Sequence, residues 1–207
     1  MKFVNGWWIP DGDNELHHPV TLEHDQKLFD IIDRYTKNFN HAVDVGGNVG
    51  KWACQLAKSF AQVSVFEPAP YHIECFEINC KNHSNIKLHK YGLSNKNSFG
   101  NLDICVPGHY GSTRILEDDQ GSIEMKTLDS LVFEDIDVIK IDVEGRELHV
   151  LQGGVHTLQK LSPLVVIERC EMNSKSFGYN KKATHDLLTE YGYKLIYKLT
   201  RDCVYKK

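Results

Sequence analysis

Residues 42–51 read Ala-Val-Asp-Val-Gly-Gly-Asn-Val-Gly-Lys, and this stretch decides the fold. A short apolar run delivers Asp44 into a turn with three glycines, and an amphipathic segment begins at Lys51. The order of strand, glycine turn and helix is typical of the first unit of a doubly wound α/β domain. There the backbone N–H groups at the helix start face a nucleotide-like ligand. The stretch therefore predicts an α/β fold with a ligand-binding floor.

The spacing of the glycines separates two classes of ligand. The dinucleotide fingerprint Gly-x-Gly-x-x-Gly would need glycine where this chain has Val45. The remaining pattern, acid-x-Gly-x-x-x-Gly from Asp44 through Gly46 to Gly50, resembles the first motif of methyltransferases that use S-adenosylmethionine (SAM). An acid at the strand end suits a cationic α-amino group better than a pyrophosphate.

Composition narrows the class of protein further. A chain of 207 residues with 41% hydrophobic content can form one α/β domain with a sizeable core. The net charge of −4 offers no global basic field for nucleic acid or anionic membrane. No apolar run approaches the ~18 residues of a membrane span, so we expect no membrane partner. The first ten residues lack a signal-peptide core, which predicts a cytoplasmic location. The six cysteines are scattered without a Cys-x-x-Cys pair, which predicts reduced thiols and no metal site.

Hydrophobic periodicity predicts alternating helices and strands along most of the chain. Residues 92–134 break this alternation, because short alternating runs between Gly and Asn/Asp turns predict an antiparallel insertion. We expect one globular unit: an N-terminal arm and helix (residues 1–40) packed on a Rossmann-like, doubly wound, mostly parallel domain (41–207). The predicted helices are 21–39, 52–60, 71–81, 146–152 and 183–190, and the predicted strands are 63–66, 86–91, 137–142, 164–168 and 193–199, with 203–205 as a final edge strand and residues 1–20 irregular.

Ligands of such folds bind at the carboxyl ends of the strands, so five segments are expected to share one crevice. They are 44–50, Glu67, 92–94, 142–145 and 168–171. At the end of the second strand, a carboxylate at Glu67 can accept both hydroxyls of a ribose; the alternative is an exposed glutamate beside Pro68. Residues 92–94 either read an adenine edge or form an ordinary turn.

Asp142 and Glu144 give the second strong signal. If the chain stays extended, their carboxylates share a face and repel, which favours a general base of raised pKa or a cation site. Alternatively, Asp142 caps the next helix while Glu144 pairs with Lys140 or Arg146. Three other sets of candidates also have two interpretations. Glu168 is either catalytic or paired in the interior, and His149 is either functional or an ordinary helix-surface residue. Trp7, Trp8 and Tyr110 form an aromatic wall for the acceptor, or the two tryptophans attach the N-terminal arm to the body.

Four motifs together resemble one family. They are Val-Asp-Val-Gly-Gly-Asn-Val-Gly (43–50), Phe-Glu-Pro (66–68), Lys-Ile-Asp-Val-Glu-Gly-Arg-Glu-Leu-His-Val-Leu-Gln-Gly-Gly (140–154) and Val-Val-Ile-Glu (165–168). From about His41 to Glu171 the chain is similar to the FkbM family of SAM-dependent methyltransferases. It departs from the family pattern at Arg146, where an aromatic residue is more usual.

The resemblance implies a class I methyltransferase fold, SAM as cofactor with S-adenosylhomocysteine (SAH) as product, and O-methylation of a sugar, glycan or other small hydroxylated molecule. A divalent metal is not predicted. The implied cofactor contacts are the methionine end of SAM at Asp44, Gly46, Gly47, Asn48 and Gly50, its ribose at Glu67 with Pro68, and its adenine and sulfonium near Leu93, Ser94 and Asp142.

Methyl transfer to a hydroxyl needs a base, and Glu144 is the predicted one, with Asp142 and Glu168 as alternates. A non-catalytic SAM-binding module remains an alternative, as does, less favoured because of Val45, an NAD-dependent oxidoreductase. A nucleic-acid methyltransferase is disfavoured, since the chain lacks an Asn/Asp-Pro-Pro-aromatic loop, a Pro-Cys nucleophile and a basic groove.

Overall fold

A seven-stranded sheet forms the centre of the computed structural model, which describes residues 1–14 and 19–207, with side chains at 1–14 and 23–207. In chain order the strands are β1 (Lys2–Val4), β2 (Trp7–Ile9), β3 (His41–Val45), β4 (Gln62–Phe66), β5 (Ile86–His89), β6 (Gly92–Leu93), β7 (Ser98–Val106), β8 (His109–Glu117), β9 (Ile123–Lys126), β10 (Val138–Ile141), β11 (Leu164–Glu168), β12 (Lys194–Leu199) and β13 (Asp202–Lys206). The helices are α1 (Pro19–Tyr35), α2 (Lys51–Leu56), α3 (Pro70–Asn79), α4 (Glu147–Gln152), α5 (Val155–Leu161), α6 (Glu171–Ser176) and α7 (Lys182–Glu190), with a 3₁₀ turn at Leu128–Ser130.

The central strands are buried along nearly their whole length, as expected for parallel strands covered on both faces. All residues of β3 and β10 are buried, and so are the first four of β11. The spatial order is β12-β13-β11-β10-β3-β4-β5, with β5, β4, β3, β10 and β11 parallel. The predicted doubly wound, mostly parallel sheet is confirmed.

The strand order reverses between β3 and β10, which are neighbours in space but distant in sequence. In an open α/β sheet, such a reversal leaves a crevice at the carboxyl ends of the strands, because the connections on either side diverge. The glycine turn after β3 and the acidic turn after β10 both lie at this reversal.

The position of the last strand differs from the prediction. Residues 203–205 were expected to add an edge strand, but β13 lies inside the sheet, antiparallel to both β11 and β12. The edge on that side is β12. A tight turn at Thr200, which has a φ of +53°, returns the chain and makes β12 and β13 a hairpin.

The predicted antiparallel insertion is present as a second, four-stranded sheet in the order β6-β9-β7-β8. Strand β7 pairs antiparallel with both β8 and β9, whereas the two residues of β6 pair parallel with β9. The runs at 102–106 and 123–128 were predicted, but β8 was not. This second sheet covers one side of the crevice.

The first residues are more regular than predicted. Instead of an irregular segment, β1 and β2 form an antiparallel hairpin. Asn79 at the end of α3 attaches this hairpin to the body: Trp8 donates its backbone N–H to Asn79 Oδ1 at 2.9 Å, and Asn79 Nδ2 donates to the Trp8 carbonyl at 2.9 Å. Part of the predicted 1–40 arm, residues 15–18, lies outside the described residues, and the division at 40/41 stays a prediction.

Helix bounds differ from the predictions by a few residues, and two short helices, α5 and α6, were not predicted. Among the helices in the described part of the chain, none is both long and apolar enough to cross a membrane.

Candidate active site

One cavity lies at the carboxyl ends of the central strands, and most of the predicted site residues line it. We call it the central cavity. The predicted residues along its wall are Gly46, Gly47, Asn48, Glu67, Pro68, Leu93, Asp142 and Glu144. Four others, Asp44, Gly50, Ser94 and Glu168, lie behind this wall rather than in it.

The glycine turn approaches its neighbours so closely that it leaves no room for side chains. Gly46 has a φ of +89° and donates its N–H to the Phe66 carbonyl at 2.9 Å. A Cβ at position 46 would collide with the backbone carbonyl oxygen of Asp142, and one at Gly47 would collide with Val65. The turn therefore places bare backbone along the cavity.

Gly50 has a different role from the one predicted. It begins α2 with a φ of +94°, and a Cβ there would collide with the thiol of Cys80 on the side away from the cavity. The thiols of Cys80 and Cys54 are in hydrogen-bond contact at 2.9 Å. Gly50 thus lets the turn pack on the layer below and does not face the ligand space.

Glu67 links the two turns that follow β3 and β4. One carboxylate oxygen accepts the backbone N–H of Asn48 at 2.8 Å, and the other accepts that of Ala69 at 2.8 Å. His72 Nδ1 lies 3.3 Å from the same oxygen that Ala69 contacts. The side chain is buried yet borders the cavity, so it fixes the turns and still presents oxygen lone pairs to a ligand.

Replacing Glu67 by glutamine should lower the free energy of unfolding by about 1–3 kcal/mol, because one buried backbone N–H would then face an amide donor instead of an acceptor. Chemical denaturation of the two proteins measures this. The matched control is Glu77→Gln, at a side chain that is 55% exposed and paired with Lys90 on the surface, where less than about 1 kcal/mol is expected. Equal losses in the two variants would contradict the linking role.

Lys140 is a buried cation between two of the predicted acids. It aligns with Asp44 in the β10–β3 register, and its Nζ lies 3.7 Å from Asp44 Oδ1 and 3.4 Å from Asp142 Oδ2. Burial lowers the pKa of Lys140, but the two carboxylates outweigh it and raise that pKa above its ordinary value. Burial raises the pKa of Asp44 to about 6 against the opposing charge of Lys140. Asp44 is thus a charge partner of Lys140 rather than a residue of the cavity wall.

Glu144 sits in a sharp turn, not in the extended strand that was assumed. Strand β10 ends at Ile141, and Glu144 and Gly145 have φ values of +53° and +108°. Glu147 holds this turn by accepting the backbone N–H groups of Val143 at 3.1 Å and Gly145 at 3.0 Å. Glu147 was not predicted as a site residue, although its place at the start of α4 is typical of an acid that satisfies free N–H groups.

The turn nevertheless brings three carboxylates together. Oxygen atoms of Asp142, Glu144 and Glu168 all lie within 4.8 Å of one another. Asn173 Nδ2 donates to Glu144 Oε2 at 2.7 Å, whereas Arg201 lies 3.7 Å from Glu168 Oε1. Glu168 Oε2 has no hydrogen-bond partner among the residues that the structure describes. Neither of the alternative ion pairs considered for Glu144, with Lys140 or with Arg146, is present among the described contacts.

Burial and nearby carboxylates raise the pKa of two members of this cluster, Glu144 and Glu168. Burial, then the charge of Asp142, raises the pKa of Glu144 to about 8. The same two causes raise the pKa of Glu168 well above its ordinary value. A carboxyl group whose pKa lies near neutrality suits proton transfer in either direction. Three carboxylates also resemble an oxygen site for a cation, and the prediction of no metal stays a prediction.

Ser94 and Arg146 form a buried pair behind Leu93. Arg146 donates from Nη2 to Ser94 Oγ at 2.7 Å, and Arg146 itself borders the cavity. Ser94 is fully buried by this contact, so it supports the wall instead of facing a ligand. Gly92 and Leu93 are the parts of this segment that reach the cavity.

The remaining aromatic and histidine candidates lie elsewhere. Trp8 packs on Phe3 and attaches to α3, which agrees with the tryptophans holding the arm. Tyr110 packs edge-on against Tyr71, and neither Trp7, Trp8, Tyr110 nor His149 is part of the cavity wall.

Sequence reasoning missed two parts of the wall. One is the second sheet, whose residues Leu102, Gly111, Thr113, Arg114 and Ile115 close the cavity. The other is the group around Lys140, formed with Asp25, Lys51 and Trp52, in which the Trp52 ring lies 5.2 Å from the Lys140 ammonium. Strand alternation could have found Lys140, since positions 140 and 142 point to the same side, but β8 carries no such signal.

A family model described as "Methyltransferase FkbM domain" matches residues 44–195. The hexuronic acid methyltransferase AglP of Haloferax volcanii is 34% identical over 134 residues, which cover 59% of this chain and 53% of that protein.

Two solved structures share the fold. The FkbM methyltransferase of Methylobacillus flagellatus matches with a TM-score of 0.58 and 17% identity, over 81% of this chain and 43% of that one. The N-methyltransferase NodS of Bradyrhizobium japonicum, solved with SAH, matches with a TM-score of 0.54 and 14% identity, over 95% of this chain and 92% of that one. The chain spans about half the length of the Haloferax and Methylobacillus proteins. The predicted class I methyltransferase type of fold is confirmed.

Proposed function

Because the chain belongs to the FkbM methyltransferase family, we propose that it transfers a methyl group from SAM to a hydroxyl group of a sugar, a glycan or another small hydroxylated molecule. The observation that carries this proposal is the central cavity, where the glycine turn, Glu67 and the Asp142–Glu144 turn meet at the strand-order reversal.

The residues of the cavity suit SAM as the donor. Gly46 and Gly47 line the cavity with main chain and no side chain, so a ligand can lie close to the backbone there. Glu67 Oε2 accepts one backbone N–H, from Asn48, and keeps a lone pair for a ribose hydroxyl. SAM would lie along these residues, with its sulfonium near the carboxylate of Asp142.

Bound SAM supplies an electrophilic methyl group. The chain's own task is then to orient the acceptor hydroxyl and to take its proton, since a sugar hydroxyl has a high pKa. Glu144 borders the cavity and its pKa is raised to about 8, so we assign it the role of general base. Burial raises that pKa first, and the charges of Asp142 and Glu147 raise it further. Asp142 and Glu168, whose carboxylates lie in the same cluster, are the alternates for the same role.

The acceptor class is drawn partly from a relative. The Haloferax protein is a hexuronic acid methyltransferase by name, and it is 34% identical to this chain over 134 residues. An acceptor with ring hydroxyls is consistent with a wall in which apolar Leu102 and Ile115 alternate with polar Thr113.

Two measurements test the proposal. Isothermal titration of the full chain should show SAH binding, with no comparable binding of NADH, the ligand expected of an oxidoreductase on this fold. Radiolabelled SAM with a panel of monosaccharides and glycosides should then yield labelled product in an amount that grows with enzyme concentration. NADH binding without SAH binding would overturn the donor assignment, and SAH binding without transfer to any hydroxylated acceptor would favour the non-catalytic module.

A further inference from the structure

Two arginines border the central cavity on the side of the second sheet. Arg114 comes from β8 and Arg146 from the turn before α4, yet both guanidinium groups lie over the ring of Phe177, at 5.6 Å and 5.4 Å from its centroid. Phe177 itself packs against Gly145, where a Cβ would come within 2.8 Å of the ring. The two cations are therefore held next to the turn that carries Glu144.

The buried guanidinium charge of Arg146 has little opposing charge near it among the described residues. Its residue is 3% exposed, and its nearest acid, Glu117, lies 4.0 Å away. Its contacts are the Ser94 hydroxyl at 2.7 Å and the Ile115 carbonyl at 3.5 Å, while its Nε has no hydrogen-bond partner among the described residues. Burying a guanidinium is costly unless it is paired, so a weakly paired guanidinium on a residue that lines a cavity favours an anionic ligand there.

Arg114 is the more accessible of the two. Its side chain is 20% exposed, and it donates from Nε to Asp103 at 2.8 Å and from Nη1 to Ser176 Oγ at 2.8 Å. These bonds fix the guanidinium on the cavity wall and leave further N–H donors, of the five that arginine has. A planar fork of this kind matches a carboxylate better than a neutral hydroxyl.

Resting on the proposed function, we infer that the methyl acceptor carries a carboxylate, as a uronic acid or other hydroxy acid does, and that Arg146 with Arg114 binds it. Arg146 is then a specificity residue that replaces the aromatic side chain more usual at this position. The carboxylate orients the acceptor, and a neighbouring hydroxyl of the same molecule faces Glu144.

The test compares two acceptors that differ in one group: methyl β-glucopyranosiduronate, which has a carboxylate at C6, and methyl β-glucopyranoside, which has a neutral CH₂OH there. Binding of each to the full chain saturated with SAH is measured by titration calorimetry. We expect the uronide to bind roughly 10- to 100-fold more tightly, as for the loss of a charged hydrogen bond. In Arg146→Leu this preference should fall to near unity, and in Arg146→Lys, which keeps the charge but not the fork, it should lie between.

Two further variants keep the test decisive if Arg146→Leu folds poorly. Arg114→Leu changes a more exposed side chain and should reduce the preference by several-fold. Arg34→Leu removes an exposed arginine of α1 that does not border the cavity, so it should leave the preference unchanged.

Normal SAH binding with no preference for the uronide, or with binding of neither sugar, would overturn this inference and leave the proposed function standing. Failure of SAH to bind would overturn the proposed function and, with it, this inference. A preference that persists in both folded leucine variants would show that the arginines are not the carboxylate site.

Discussion

Glu144→Gln is expected to lower the rate of methyl transfer about 10²- to 10⁴-fold, the usual contribution of a general base. Glutamine keeps the size of the side chain and can still accept the hydrogen bond that the Asn173 amide donates, but it cannot take a proton from the acceptor. SAH affinity should stay within about twofold, because the assigned donor contacts lie on Gly46, Gly47 and Glu67. Single-turnover transfer from labelled SAM, with SAH titration as a parallel readout, measures both effects.

The pH profile gives this assignment a second readout. A base must be deprotonated to act, and the pKa of Glu144 is raised to about 8 by burial, then by Asp142 and Glu147. In the wild type, kcat/KM should therefore rise with pH through about 8 and level off above it. Glu144→Gln should lose this rise, whereas Glu190→Gln, at an exposed position on α7, should keep both the rise and the rate. Near-normal turnover in Glu144→Gln would transfer the role to Asp142 or Glu168.

Gly46→Ala is expected to abolish measurable SAH binding and to lower the free energy of unfolding by about 2–5 kcal/mol. About 1–2 kcal/mol comes from placing a Cβ in the left-handed region at a φ of +89°. A further cost of about 1–3 kcal/mol comes from the collision of that Cβ with the Asp142 carbonyl oxygen, which can be relieved only by separating β3 from β10 at their carboxyl ends.

Gly6→Ala is the matched control for this prediction. Gly6 has a φ of +90°, nearly the same as Gly46, but a Cβ there would meet no atom within 4 Å. Its loss of stability should be only the conformational part, about 1–2 kcal/mol, with SAH binding intact. If the two variants lost the same stability and both bound SAH, the close approach of the glycine turn to Asp142 would not matter for the site.

Much of the central sheet could be predicted, because its strands are buried on both faces and appear as apolar runs. Strand β11, predicted at residues 164–168, occupies those residues in the structure. The insertion of β13 between β11 and β12 could not be predicted, since hydrophobic periodicity marks a strand but says nothing of its hydrogen-bonded neighbours. The short hairpin of β1 and β2 was not predicted for another reason: strands of three residues are too short to show a hydrophobic periodicity.

The site shows the same division between pattern and geometry. The glycine turn and Glu67 followed from the strand-turn-helix order, and the structure places them side by side. The meeting of Asp142 and Glu144 was expected for the wrong reason, because an extended chain was assumed where Glu144 adopts a left-handed conformation. Nothing in the residue type marks that conformation, since it is fixed by two hydrogen bonds to Glu147.

The position of β13 also has a consequence for the order of folding. Strand β12 joins the sheet through β13, so it cannot take its place by pairing with β11 directly. The two strands are adjacent in sequence, so they can form a local β-hairpin within microseconds, before any long-range pairing. We expect the hairpin to dock on β11 as one cooperative unit, so its amide hydrogens should exchange with solvent together, as those of a single foldon.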